Sequence, residues 1–188
     1  MLPLIDTLYW LALSTWFGCV LTSAIVPPII FRKIAEADPT LPRVLSVNLD
    51  KQHSTLLAGD VVSEILHTLF RLEWICAIGF FFPLVGKWFY VDRSGGKIVL
   101  PLMVTALYVL AVAFLFYGSR VVWPKVIEHR TKYLEHADEP DIANAELDQF
   151  DRYSGELSSV VRNMLFALLG TLLFSTVLRP MVQTILFQ

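Results

Sequence analysis

Charge is scarce in this 188-residue chain, and two long stretches have none. No charged residue lies between Asp6 and Arg32, a run of 25 residues, or between Lys97 and Arg120, a run of 22. Charged residues make up 17% of the chain, against about 25% in soluble domains. The hydrocarbon core of a bilayer is about 30 Å thick and needs roughly 20 helical residues to cross it. Both runs are therefore long enough to span a membrane, which argues against a soluble fold.

Residues that commonly build reactive or metal-binding sites are also few. The chain has two cysteines and four histidines, and they are not clustered as a zinc site requires. A bis-histidine haem bundle needs paired histidines within the spans, and only His67 lies near one. No Walker A loop, GxSxG elbow or HExxH motif occurs. The sequence predicts no catalytic residue, no metal site and no cofactor, and it favours a protein that is not an enzyme.

What the chain does contain is apolar. Hydrophobic residues make up 55% of it and the mean hydropathy is +0.59, above the roughly 45–50% hydrophobic content of soluble domains. Two further apolar stretches complete a set of four, so we predict an all-α, four-helix transmembrane bundle that forms a single membrane domain over residues 1–188. The predicted spans are about 8–30, 69–90, 98–118 and 157–178.

Amphipathic helical extensions are expected on the side of the two long connections. A helix that begins near Leu56 should run into the second span, with Asp60, Glu64, His67 and Arg71 on one face. Residues 125–158 should form a projecting helical hairpin, broken at Glu139-Pro140-Asp141, because proline favours the first turn of a helix. The hairpin carries most of the acidic residues and is a candidate surface for a protein partner.

The positive charges favour one orientation in the membrane. Four spans place both termini on one side and both long connections on the other. Basic residues near span ends favour the cytoplasmic side, and Arg32 and Lys33 follow the first span with no basic residue before it. We expect a multi-pass protein of the cell membrane, plasma or inner, with termini outside and long loops cytoplasmic. The net charge of −2 does not favour nucleic acid as a partner, and a homo-oligomer stays open.

Polar side chains within or beside the spans should form a layer near the long-connection side. This layer is a candidate ligand site, because ionisable residues in spans usually face the bundle interior or water. It is equally a candidate structural clamp, in which arginines reach the head groups and pair with carboxylates. Its members are Glu64, His67, Arg71, Glu73, Tyr117, Arg120, Glu156, Ser159, Arg162 and Asn163. A separate strip of small residues, Ser14, Gly18 and Thr22, is predicted to let another helix approach closely.

Three functions follow from these features. The leading hypothesis is a non-enzymatic membrane scaffold or accessory protein, in which the polar layer holds the bundle together. The second is a small transporter or permeation unit for an ion or small solute, which would use the Glu64, His67, Arg71 and Arg162 region. The third and least favoured is a membrane redox carrier or enzyme.

Short motifs in the first half resemble the DUF4149, or TMEM205-like, family of four-span membrane proteins. They are Trp16 and Gly18, the segment Val26–Arg32, the segment Ala58–Val62, and Phe70. In the second half, Phe150–Ser159 followed by Asn163 agrees in layout, although Tyr153 stands where the resemblance leads us to expect a histidine. The resemblance implies a four-span membrane fold and supplies no mechanism, since the family has no settled molecular activity.

Overall fold

The computed structural model describes residues 2–37, 53–93, 99–136 and 139–186, and these ranges are almost entirely helical. Within them there is no strand, and four helical segments are long and apolar enough to cross a membrane. This confirms the predicted all-α, four-span bundle. The elements are α1 (Leu2–Ala37), α2 (His53–Arg93), α3 (Val99–Tyr117), a π-helical turn (Gly118–Val122), α4 (Trp123–Glu135) and α5 (Pro140–Leu186).

Two of the helices are much longer than a membrane is thick. α2 has 41 residues and α5 has 47, which at a rise of 1.5 Å per residue gives lengths of about 60 and 70 Å. The candidate span of α2 lies within Ala58–Phe89. This range also contains Asp60, Glu64 and Arg71, so the part of it that can cross a membrane is shorter than the range itself. Residues 94–98, between α2 and α3, and most of the first long connection lie outside the described residues.

A π-helical turn joins α3 to α4. Pro124 lies in the first turn of α4, and because it has no N–H it removes one hydrogen bond to a carbonyl of the preceding π-helical turn. The Ser119 hydroxyl donates to the Leu115 carbonyl over 2.6 Å, and Trp74 Nε1 of α2 donates to Ser119 Oγ over 3.1 Å. The turn also packs closely on α5, because a Cβ at Gly118 would lie 3.1 Å from Cγ1 of Val160. These contacts hold the π-helical turn against α2 and α5.

The bundle is apolar on its outside as well as inside. α1 packs along α2 and α3 along α5, and α1 also contacts α5. Large side chains such as Ile75, Phe82 and Leu173 are more than half exposed, at 65%, 68% and 57%. Apolar surface on this scale is typical of a lipid-facing protein. Since lipid is as apolar as the core, close packing and polar contacts must hold the helices together.

Four aromatic rings close the half of the bundle that lies toward the chain termini. We call Tyr9, Trp16, Phe80 and Tyr108 the aromatic plug. Phe80 is its centre, with ring centroids 4.7 Å from Tyr9, 6.5 Å from Trp16 and 5.5 Å from Tyr108. Beyond the plug, Lys87 Nζ lies 2.8 Å from Asp6 Oδ1 and 3.6 Å from the centroid of the Tyr9 ring. This end of the bundle is filled by side chains.

Two helical glycines occupy opposite environments. A Cβ at Gly59 would lie 3.0 Å from Nε of Arg130, and this arginine donates through Nη2 to Asp60 Oδ1 over 2.5 Å. Gly59 thus allows α4 to pair with α2. A Cβ at Gly18 would have no neighbour within 4 Å, and Ser14 and Thr22 are exposed. The predicted small-residue strip therefore makes no close helix contact with the described part of the chain.

We expect Gly59→Ala to lower the thermal unfolding midpoint in detergent, and Gly18→Ala to leave it unchanged or raise it. Both changes gain up to about 1 kcal/mol of helix propensity. Only the first forces the Arg130 side chain to move away from its ion pair. A fall in the midpoint of Gly18→Ala instead would show that the small-residue strip packs against another chain.

Candidate functional site: an inter-helix cavity

The half of the bundle away from the termini contains a cavity of about 700 Å³. We call it the inter-helix cavity. It lies between the second half of α1, the first half of α2, α4, and α5 from Phe150 to Leu165. Its volume falls within the roughly 300–1,000 Å³ of small-molecule pockets, which commonly occur between the helices of bundles.

The walls of the cavity are mainly apolar. α2 contributes Val62 and Leu66, α4 contributes Val126, and α5 contributes Val161 and Leu165. An apolar wall with a few polar groups is the usual composition of a ligand pocket. The chemistry therefore suits a molecule that is largely hydrocarbon.

Charged groups of the cavity come from α4 and α5. Arg162 and Asp151 are exposed and line it, and Arg130 lines it while paired with Asp60. Among the described residues, none forms a hydrogen bond or ion pair with Arg162. Arg162 thus supplies a guanidinium whose five donors remain available to an anion.

The α1 wall of the cavity is interrupted by two prolines. Pro27 and Pro28 lie inside α1, which nevertheless continues to Ala37. A proline has no N–H, so it removes the hydrogen bond to the carbonyl four residues earlier. The carbonyls that lose their usual donors are those of Ser23 and Ala24, and both residues line the cavity. The cavity wall is therefore more polar here than its side chains alone suggest.

Glu73 lies directly behind this part of the wall. The Ser23 hydroxyl donates to Glu73 Oε1 over 2.9 Å, and Glu73 is fully buried. The second oxygen, Oε2, is also buried and has no hydrogen-bond partner in the described structure. The thiols of Cys19 on α1 and Cys76 on α2 are the other titratable groups near it. A buried carboxyl with one partner is unusual, because nearly all such groups are fully hydrogen-bonded.

The predicted polar layer does not converge on one point. Glu64, His67, Arg71 and Arg120 are exposed, and no ion pair joins them to another described residue. Asn163 is also exposed. The sequence predicted that these residues lie at a similar depth. It could not predict that their side chains are exposed on the outside of the bundle. Of the predicted layer, Arg162 lines the cavity and Glu73 lies behind its wall, in contact with Ser23.

Two members of the layer link helices to one another. The Tyr117 hydroxyl donates to Glu156 Oε1 over 2.5 Å and so joins α3 to α5. Ser159, by contrast, donates to the Gly155 carbonyl of its own helix over 3.1 Å. The Tyr117–Glu156 contact is an inter-helix link, but it differs from the predicted clamp, in which an arginine pairs with a carboxylate.

The hairpin of residues 125–158 is tied to the rest of the bundle. His129 Nδ1 and Glu146 Oε2 lie 2.6 Å apart, and the His129 ring stacks on Tyr153 at a centroid distance of 5.2 Å. These contacts join α4 to α5, and the Arg130–Asp60 pair joins α4 to α2. The hairpin therefore contributes to the cavity wall, and the Arg130–Asp60 pair links it to α2.

Sequence reasoning missed Ser23, Arg130 and Asp151. Ser23 looked like one more small residue in an apolar run, and the other two looked like solvated hairpin charges. A local signal existed for Ser23, because Pro27 follows it by four residues and frees its carbonyl. The signal for Arg130 was the glycine before Asp60, which marks a close approach.

The chain was compared with protein-family models, curated proteins and solved structures, and it matches none of them. The resemblance to the DUF4149 family therefore stays a prediction.

We expect Ser23→Ala to destabilise the protein by about 1–3 kcal/mol, because it leaves both buried oxygens of Glu73 without a partner. Adding Glu73→Met should recover most of this loss, since replacing both partners with apolar groups can be nearly neutral. Thermal unfolding in detergent measures the coupling between the two positions.

Ser14→Ala is the matched control for this cycle. Its hydroxyl donates only within α1, to the Trp10 and Leu11 carbonyls at 2.7 and 3.2 Å. If the stability changes of Ser23→Ala and Glu73→Met simply add in the double variant, the Ser23–Glu73 hydrogen bond does not contribute to stability.

Proposed function

We propose that this chain is a multi-pass, non-enzymatic membrane protein that binds an amphipathic molecule with an anionic head group in the inter-helix cavity. The observation that carries the proposal is the cavity itself, about 700 Å³ of mainly apolar space between four helices. A membrane protein that only packed its helices together would gain by filling this space, because unfilled volume forfeits dispersion contacts.

The distribution of charge supports the choice of head group. The acyl part of the ligand would lie against the apolar walls, while the head group would meet the exposed guanidinium of Arg162. Arg130 shares its charge with Asp60, so Arg162 is the better anion partner. Fatty acids and anionic phospholipids share this chemistry.

Accessory or scaffold function remains the alternative, and the Tyr117–Glu156 inter-helix link favours it. In that case the cavity would hold bulk lipid with no preference for a head group. Permeation is less well supported, because the aromatic plug fills the bundle between the cavity and the terminal side. A redox carrier gains no support from the described residues, in which no cluster of three metal-binding side chains occurs.

The proposed location is the plasma or inner membrane, with the termini outside and the cavity opening toward the cytoplasm. Arg32 and Lys33 support this orientation, since they follow the first span on the long-connection side. To check this orientation, single cysteines are placed in 125–158 and intact cells are treated with an impermeant thiol reagent. We expect no labelling. Labelling would show that these residues face the outside and that the orientation is the reverse.

Ligand binding is testable by fluorescence quenching, because Trp123 lines the cavity. We expect brominated stearate to quench the purified protein in non-ionic detergent, and Trp123→Phe to remove most of that quenching. Arg162→Gln should weaken binding about tenfold, since a hydrogen bond to a charged group contributes about 1.5 kcal/mol or more.

Arg71→Gln is the matched control, because Arg71 is equally exposed but does not line the cavity. Brominated phosphatidylglycerol, tested in parallel, distinguishes a phospholipid from a free fatty acid. The assigned anionic head group would be contradicted if the corresponding uncharged brominated alcohol bound as tightly as brominated stearate. It would also be contradicted if Arg71→Gln and Arg162→Gln weakened binding equally. Absence of quenching by every probe would favour the scaffold hypothesis.

A further inference from the structure

We propose that Glu73, together with Ser23, is an intramembrane proton-binding site that exchanges its proton with the inter-helix cavity. The proposal stands on three features of the structure. They are a fully buried carboxyl, a hydroxyl that joins it to the cavity, and a break in backbone hydrogen bonding at the same place.

The first feature is the position of Glu73. It lies within the candidate span of α2, is 0% exposed, and receives one hydrogen bond, from Ser23. Within the described residues no Lys, Arg or His forms an ion pair with it. An ionised carboxylate without a cation is expensive at such a position. A proton on Oε1 removes that charge and lies within hydrogen-bond distance of the Ser23 hydroxyl oxygen.

The second feature is the link between Glu73 and the cavity. Glu73 does not line the cavity, but Ser23 does, and its hydroxyl oxygen lies 2.9 Å from Glu73 Oε1. A hydroxyl both donates and accepts hydrogen bonds. Ser23 can therefore pass a proton between the carboxyl and water in the cavity by accepting one proton as it gives up another.

The third feature makes water plausible at this point of an otherwise apolar wall. Pro27 and Pro28 deprive the Ser23 and Ala24 carbonyls of their usual donors, and ordered water commonly satisfies such carbonyls in membrane helices. A buried water needs about two to four polar partners. The two carbonyls and the Ser23 hydroxyl supply that number beside Glu73.

On the opposite side, the carboxyl has no comparable exit. The titratable groups that face it are the thiols of Cys19 and Cys76, and the aromatic plug follows toward the termini. Proton exchange is therefore one-sided and takes place from the cavity. This inference needs the cavity to contain water and does not depend on the lipid ligand proposed above.

Infrared spectroscopy of the purified protein in nanodiscs tests the proposal. A protonated carboxylic acid has a carbonyl stretch above the amide I band, and deuteration of the acid lowers its frequency. We expect this band at neutral pH in the wild type and its loss in Glu73→Gln. Glu156→Gln is the matched control, since Glu156 also accepts a hydroxyl hydrogen bond but is only half-buried.

Transfer into D₂O tests the path. The band of the wild type should shift rapidly, whereas Ser23→Ala should keep the band and slow its shift at least tenfold. Ala24→Phe, which fills the cavity beside Ser23, should slow the shift as well. A purely structural Glu73 predicts a band that shifts at the same rate in all three proteins.

Three results would overturn the proposal. They are a wild-type spectrum without the band, a band that survives in Glu73→Gln, and a band that disappears when sodium replaces choline at constant pH. The last result would assign a metal cation to the site instead of a proton. The infrared experiment contains no added lipid ligand, so it is independent of the ligand proposal. If stearate does not bind, the proton-site proposal still stands. If the infrared band is absent, the ligand proposal still stands.

Discussion

Hydrocarbon offers no hydrogen bonds, and this constraint governs the whole bundle. Every polar group within the spans must find its partner inside the protein. Continuous helices satisfy the backbone, and small hydroxyl side chains satisfy themselves on their own helices, as when Thr171 donates to the Ala167 carbonyl over 2.9 Å. The Tyr9–Ser175 and Tyr108–Ala77 hydrogen bonds then join one helix to another. Tyr9 and Tyr108, which make these two hydrogen bonds, are also members of the aromatic plug.

Departures from this rule occur in both halves of the bundle. In the plug half, Nε1 of Trp10 and of Trp16 is buried without a hydrogen-bond partner in the described structure. In the other half, three features depart from it close to one another. α1 carries its two consecutive prolines there, the helices enclose a cavity, and Glu73 keeps an oxygen without a partner. Each of these features alone would weaken a membrane bundle. Because all three lie beside Ser23, we explain them by ligand or water binding: each leaves space or a polar group that a bound molecule can occupy.

Part of this arrangement could be predicted from the sequence, for physical reasons. Long charge-free runs in lipid can only be helices, so the four spans and the all-α fold followed from composition. Helical spacing also predicted that Glu64, His67 and Arg71 share a face, but it cannot tell an inward face from an outward one. That depends on which neighbouring helix packs alongside. The Ser14, Gly18 and Thr22 strip makes no close helix contact within the described chain, because small size permits a close approach without causing one.

The site residues were harder to predict, since each depends on a contact between distant elements. Ser23 and Glu73 are 50 residues apart, and Arg130 and Asp60 are 70 apart. No local pattern records such pairs. The prolines after Ser23 and the glycine before Asp60 did mark both places, as features that remove a hydrogen bond or a side chain. In this apolar chain, the prolines that remove backbone hydrogen bonds and the glycine that lacks a side chain indicate the site better than most of the charged residues do.

The asymmetry of the bundle also bears on the choice between binding and permeation. A continuous pathway would have to pass the plug, where Trp16 and Phe80 are fully buried and Tyr9 nearly so. Opening it would separate several ring contacts, each contributing about 0.5–1.5 kcal/mol beyond its buried area. Such a change would also disturb the Lys87 contact with Tyr9. A ligand or a proton that enters and leaves through the cavity requires none of this rearrangement. The structure is therefore better suited to equilibrium binding from one side than to a permanently open pore.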